Sequence, residues 1–250
     1  MRLTIIGCSG SLPGPQSPAS CYLVEADGFT LLIDLGSGAL GPLQRYHDLY
    51  DIDAILISHL HPDHCFDLCG YWIVRTYYAR PGQTRMPVYG PRGTADRMAQ
   101  AYGLDPDPGM RETFDFQTFP QEPSDIGPFR VTTARMNHPI ETYGMRIEYD
   151  GRVLAYSGDT GECDALVDLA RDADVFLCEA CWFEQPGLPP DMHLTGRTAG
   201  EHAARAHAKK LVLTHLLPWN DTDRTLSEAK ASGFRGDIEI AQQGARYDLG

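Results

Sequence analysis

No stretch of this sequence approaches the ~20 consecutive apolar residues that a membrane-spanning helix needs, which argues against a bilayer span. The opening Met1-Arg2-Leu3-Thr4-Ile5-Ile6-Gly7 is too short in apolar character for a secretory signal. It reads as a first strand, and the expectation is a cytoplasmic protein. A basic run is also missing. The densest lysine cluster is Lys209-Lys210, which opens a strand, and the formal charge is −13. Nucleic-acid binders draw most of their affinity from a basic face that neutralises phosphates, so a large polyanionic partner is disfavoured. A small anionic substrate is not, because bound cations reverse the local field. Cysteine is present but not in a disulfide pattern: the seven thiols are odd in number and scattered, as reduced thiols are. Cys178-Glu179-Ala180-Cys181 has redox-motif spacing without a helix-starting context, so core packing is expected of it. Cys65 is read as a small buried residue. No linker divides the chain, and residues 1–250 are expected to form a single domain.

Strands alternate with helices throughout. Strands are expected over Leu3–Gly7, Cys21–Glu25, Thr30–Leu35, Asp53–Ser58 and Pro87–Gly90. In the second half they fall at Thr113–Phe119, Arg130–Met136, Thr142–Tyr149, Val153–Ser157, Asp174–Cys178, Leu211–Thr214 and Ile238–Ala241. Asp150-Gly151 between two of these is a hairpin signal. Helices are expected after Gly38 and over Phe66–Tyr78, Gly93–Tyr102, Glu162–Arg171 and Asp223–Ser232. Another is expected from a capping box at Thr198-Ala199-Gly200-Glu201 to about Ala208. Mixed elements in two halves suggest two sheets packed face to face with helices outside.

The most informative segment is His59-Leu60-His61-Pro62-Asp63-His64, delivered by the apolar run Ala54-Ile55-Leu56-Ile57-Ser58. Residues two apart in extended chain point the same way, so His59 and His61 form one pair of nitrogen donors. Pro62 cannot extend a ladder and turns the chain. Asp63 and His64 then offer donors from another direction. This spacing suits two adjacent metal ions, and imidazole with carboxylate suits Zn, Mn or Fe. Three further strands each end in a potential ligand: His138, Asp159 and His215.

With these residues, the chain resembles the metallo-β-lactamase fold superfamily over nearly its whole length. The resemblance implies an α/β fold, a four-layer αβ/βα sandwich. It implies that His59, His61 and His138 hold one divalent metal, that Asp63, His64 and His215 hold a second, and that Asp159 bridges them. Zinc is the first choice, with manganese or iron as alternatives. Asp34, in Ile33-Asp34-Leu35-Gly36, is similar to the family's structural aspartate, which orients the metal-binding loop. Glu179-Ala180 and His193-Leu194-Thr195 resemble two loops of the tRNA 3′-processing endonucleases, with Cys181 a departure. In that group the position of Glu179 orients that of His193, which contacts the scissile phosphate or the leaving oxygen.

The protruding tRNA-binding arm of those endonucleases falls between the positions of His138 and Asp159, where this chain has room only for the Thr142–Ser157 hairpin. Gly7-Cys8-Ser9-Gly10-Ser11, Ser157-Gly158-Asp159-Thr160 and His215-Leu216-Leu217-Pro218-Trp219 are more similar to armless actinobacterial members associated with cyclic-nucleotide phosphodiesterase activity. The implied reaction is hydrolysis of a small phosphodiester, a cyclic nucleotide such as cAMP or cGMP. Two metals sharing a water would lower its pKa towards ~7, with the resulting hydroxide beside Asp63 and Asp159. Asp63, His193 and Glu179 are the expected catalytic residues. Branches that use a Cys ligand place it where Asp159 stands. Competing readings are a ribonuclease Z-like nuclease and a non-catalytic metal-binding interaction domain. Trp182, Phe183 and Trp219 are candidates to stack on a base, against core or dimer packing. Tyr71, Trp72, Tyr77 and Tyr78 share one helix with more than one apolar face, so a homodimer contact is expected to cover some of them.

Overall fold

The computed structural model describes residues 1–250. The first half runs β1 (Arg2–Gly7), β2 (Cys21–Ala26), β3 (Phe29–Ile33), α1 (Leu40–Leu43), β4 (Ala54–Leu56), α2 (Pro62–Cys65), α3 (Leu68–Tyr77), β5 (Met86–Gly90), α4 (Thr94–Tyr102) and β6 (Phe114–Thr118). The second runs β7 (Ser124–Ile126), β8 (Phe129–Arg135), β9 (Tyr143–Tyr149), β10 (Arg152–Tyr156), α5 (Asp164–Leu169), β11 (Val175–Glu179), α6 (Gly196–Arg205), β12 (Lys210–Thr214), α7 (Thr222–Lys230), β13 (Asp237–Ile240) and β14 (Arg246–Asp248). They form two seven-stranded sheets, ordered β14-β1-β2-β3-β4-β5-β6 and β13-β12-β11-β10-β9-β8-β7.

Side-chain alternation explains the layering. Leu31, Ile33, Ala54 and Leu56 of the first sheet meet Leu154, Tyr156, Leu177 and Val212 of the second in a central core. Their neighbours Leu32, Ile55 and Ile57 face outwards under α3 and α4. Ala155, Phe176, Cys178, Leu211 and Leu213 do the same under α5 and α6. Strands buried on both faces must be apolar at every position, which is why these read as continuous apolar runs. The result is the expected αβ/βα sandwich.

The Asp150-Gly151 hairpin joins β9 to β10, with φ of 48° and 71° at its two central residues. A type I′ turn demands that, and its twist matches the strands it joins. Other boundaries moved. The helix expected over Phe66–Tyr78 is preceded by a separate turn, α2, because Pro62 occupies a first helical position rather than merely ending a strand. The capping box lies one turn earlier than expected. Thr195 is the N-cap, its hydroxyl accepting from the Thr198 amide while the Thr198 hydroxyl accepts from the Thr195 amide. Gly196, the first residue of α6, packs tight against α7: a Cβ there would lie 2.3 Å from the Thr225 carbonyl. Two three-residue strands, β7 and β14, were not expected. No helix is long and apolar enough to cross a membrane.

Candidate metal centre and active site

Five of the seven candidate donors follow a strand at its carboxyl end, where open α/β sheets build their sites. His59 and His61 follow β4, with Asp63 and His64 on α2; His138 follows β8, Asp159 follows β10, and His215 follows β12. Donor atoms of His59, His61, His138 and Asp159 lie within 4.8 Å of one another, as do those of Asp63, His64, Asp159 and His215. Asp159 is common to both groups. The structure therefore brings together all seven residues expected from the sequence.

The outward hydrogen bonds identify which ring nitrogens face inwards as lone pairs. His64 Nδ1 donates to Asp34 Oδ2 at 2.8 Å, and His138 Nδ1 donates to the Met192 carbonyl at 2.9 Å. His59 Nδ1 lies 3.1 Å from Ser58 Oγ, whose own hydroxyl donates to Asp34 Oδ2. In the neutral form of each ring, Nε2 is therefore the nitrogen left without a proton. These atoms converge: His59 Nε2 on His61 Nδ1 at 3.0 Å, His138 Nε2 on His61 Nδ1 at 3.3 Å, and His64 Nε2 on His215 Nε2 at 3.2 Å. Buried lone pairs facing one another repel unless something positive sits among them. Asp159 Oδ1 is buried with no hydrogen-bond partner, although its carboxylate is almost fully inaccessible. An imidazole–carboxylate set so arranged fits divalent cations.

The residues' own charges divide the rings into two kinds. Burial pushes His59, His61 and His138 below the ordinary histidine range. Burial opposes a charge on His64 too, but Asp159, Asp34 and Asp63 outweigh it and hold that ring well above the usual value. Burial would raise Asp63 and Asp159, yet the surrounding imidazoles hold both below the carboxylate range.

Asp34 is fully buried in the left-handed region, with φ of 56°. Its Oδ1 accepts from the Ser58 amide, and its Oδ2 accepts from Ser58 Oγ, His64 Nδ1 and the Tyr156 hydroxyl. Ser58 and Tyr156 were not singled out from the sequence. The only signal for them is position, one residue before His59 and three before Asp159.

His193 and Glu179 also meet. Glu179 Oε1 accepts from His193 Nδ1 at 3.0 Å and from the Thr160 amide at 2.7 Å. Its Oε2 accepts from the amides of Cys181 and Leu194, each at 3.3 Å. Burial would lower His193, but pairing with Glu179 lifts it to about 9. The His193 ring stands 5.6 Å from that of His138 and 5.4 Å from that of His215, between the two donor groups.

All seven cysteines are free. Cys178 packs in the core as expected, but Cys181 borders the centre, its sulfur within 4.8 Å of donors on His193 and His215. Among the aromatics, Trp182 stands edge-on to His193 at 5.1 Å, Phe183 packs under Arg224, and Trp219 is 69% exposed. Tyr71 and Trp72 are buried within this chain, whereas Tyr77 and Tyr78 remain exposed.

A family model described as the beta-lactamase superfamily domain matches residues 30–216, a span that holds all seven donors. The uncharacterized protein Rv1339 of Mycobacterium tuberculosis is 45% identical over 244 residues, covering 95% of this chain and 88% of its own length. The probable metallo-hydrolase YhfI of Bacillus subtilis is 30% identical over 251 residues, covering 98% of each chain. Its crystal structure superposes with a TM-score of 0.88 over 99% of both chains, at 28% identity. Ribonuclease Z of Myxococcus xanthus is 26% identical, covering 100% of this chain and 98% of its own. That alignment runs over 307 residues against the 250 present here, so the ribonuclease carries insertions that this chain lacks.

Proposed function

The chain belongs to the beta-lactamase superfamily, and from that premise we propose that it is a metal-dependent phosphodiesterase acting on a small diester, a cyclic nucleotide such as cAMP or cGMP. The observation that carries this reading is the pair of donor groups sharing Asp159, with the His193–Glu179 pair set between them. In this reading His59, His61 and His138 hold one divalent cation and Asp63, His64 and His215 the other, zinc first. Bound there, the two cations supply Lewis acidity and lower the pKa of a shared water towards ~7.

The chain's own residues do the rest. Asp159 reaches both groups through one carboxylate, and Asp63, 3.0 Å from His215 Nε2, can accept a proton beside the reacting phosphorus. Asp34 and Met192 hold two rings with lone pairs inwards, so no reorganisation is needed when substrate arrives. His193 keeps its Nδ1 on Glu179 and so presents Nε2 as the proton donor to the leaving oxygen, a role worth ~10²–10⁴-fold. In this reading Trp219, exposed and four residues after His215, stacks on the base, worth ~1–3 kcal/mol.

The second reading, a tRNA 3′-processing nuclease, is favoured by the ribonuclease Z relative. The formal charge of −13 and the insertions missing here weigh towards the smaller substrate. A parallel panel of cyclic AMP, cyclic GMP, bis(p-nitrophenyl) phosphate, precursor tRNA, a thioester and a β-lactam with the metal-loaded protein tests it. Hydrolysis confined to the tRNA, thioester or lactam overturns the proposal.

A further inference from the structure

Between Trp182 and His193 the chain has no regular structure and carries Pro186, Gly187, Pro189 and Pro190. Residues 185–189 make no backbone hydrogen bond, so ordering them costs conformational entropy that their own contacts do not offset. The position of this strap is therefore set at its ends. Near Trp182, the Glu184 amide donates to the Glu228 carboxylate, and Arg197 pairs with the Glu184 side chain.

The other end carries the chemistry. The Met192 carbonyl accepts from His138 Nδ1, and the next residue is His193. One short piece of backbone thus directs a ring of the first donor group and carries His193, the proton donor of the proposed reaction. It is seated by a three-way junction. Asn137 Nδ2 donates to the carbonyls of Pro190 and Glu162 at 3.2 and 3.3 Å. The Gly161 amide donates to the Asn137 carbonyl at 2.7 Å. The Asn137 amide donates to Thr160 Oγ1, so the loop bearing Asp159 joins the same knot. The Pro190 carbonyl lies on Gly161 so closely that a Cβ there would be 2.0 Å from its oxygen.

We propose that Asn137 and Gly161 are positioning residues: they seat residues 190–193 so that His138 and His193 are aligned together on the donor groups. This rests on the metal-dependent phosphodiesterase reading. Gly161 does not occupy the left-handed region, so alanine is conformationally ordinary there and only the contact is disturbed. Restoring an ordinary 3.4 Å contact requires a retreat of roughly 1.4 Å, and misplacement by ~1 Å can cost ~10²-fold in rate.

The experiment compares wild type, Gly161→Ala and Asn137→Ala after confirming by thermal melting that each folds. Two diesters are used: a cyclic nucleotide, whose alkoxide leaving oxygen needs a proton, and bis(p-nitrophenyl) phosphate, whose leaving group does not. Gly161→Ala is expected to lose ~10²-fold in kcat on the cyclic nucleotide and about tenfold or less on the nitrophenyl diester. Asn137→Ala is expected to show the same contrast at smaller size. In chelator competition with zinc-loaded protein, one of the two ions should bind ~10–100-fold more weakly and the other as in wild type. Wild-type behaviour in both assays overturns the proposal, as do equal losses on both substrates and both ions, which mark general loosening. If wild type cleaves neither diester, the functional reading fails while the ion measurement still decides the junction. If wild type binds no ion, both fall.

Discussion

Replacing Asp34 by asparagine is the sharpest test of how the centre is held. The substitution is isosteric, and asparagine tolerates the left-handed φ of 56° observed there, so the backbone has no reason to move. The carboxylate accepts four hydrogen bonds: two from Ser58, one from His64 and one from Tyr156, at 2.7–2.8 Å. An amide cannot replace it. If its oxygen takes the Ser58 amide, its NH₂ faces three donors. The two hydroxyls can turn and accept, but His64 Nδ1 can accept only by moving its proton to Nε2, the atom that points at Asp159 and His215. That tautomer has no inward lone pair. If the amide flips, the Ser58 backbone N–H is orphaned in the core, at a cost of ~1–3 kcal/mol. Either way the bonds to a charge, worth ~1.5–3 kcal/mol each, become neutral ones of ~0.5–1.5 kcal/mol. We expect Asp34→Asn to unfold about 1–3 kcal/mol more easily in urea without metal, and to bind one ion ~10–100-fold more weakly in chelator competition. A variant that matches wild type in both measurements would refute the assignment of Asp34 as the group steering His64.

Other outcomes follow from the same geometry. His193→Ala should retain both ions by elemental analysis yet lose ~10²-fold or more in kcat on a diester with a poor leaving group, and less on a nitrophenyl diester; unchanged turnover on the poor leaving group would sink the acid role. In metal-free protein the His193 ring should titrate near 9 by NMR, above the 6.5 of an ordinary histidine. Because the folded value is the raised one, the stabilisation is complete below ~6.5 and is lost as pH rises through about 9; a midpoint at or below 6.5 would show that Glu179 does not hold the proton. Ser58→Ala removes both the acceptor for His59 and a donor to Asp34, so both ions should weaken together in chelator competition; loss of only one would break the link between the two groups through Ser58. kcat/KM for a cyclic nucleotide should exceed that for precursor tRNA at physiological salt. Trp219→Ala should raise KM for the nucleotide more than for bis(p-nitrophenyl) phosphate, and site-specific tRNA cleavage without cyclic-nucleotide hydrolysis would promote the nuclease reading.

The donor set was legible because its residues are distinctive and sit at strand ends. The spacing of His59 and His61 needs only the two-residue period of extended chain. His138, Asp159 and His215 stood out because each ends an apolar run, and the resemblance to the metallo-β-lactamase fold superfamily is what made them members of the set. The capping of α6 was misplaced by a turn because Thr198 with Glu201 fits the usual capping-box pattern, whereas the actual box pairs Thr195 with Thr198, a threonine in place of Glu or Gln. β14 escaped notice because three residues carry too little pattern; it forms by pairing with β1, from the opposite end of the chain.

Local chemistry by itself determined which side chains could carry charge, lone pairs or protons, and which runs had to be buried on both faces. Those properties belong to each residue and its near neighbours. Only the tertiary structure decided that Asp159 reaches both donor groups, that Asp34 and Met192 turn His64 and His138 inwards, that Cys181 borders the centre rather than only filling core, and that Asn137, Gly161 and Pro190 share one junction. Each of these is a contact between segments far apart in sequence. The packing of two sheets brings them within hydrogen-bonding distance, and no spacing along the chain encodes it.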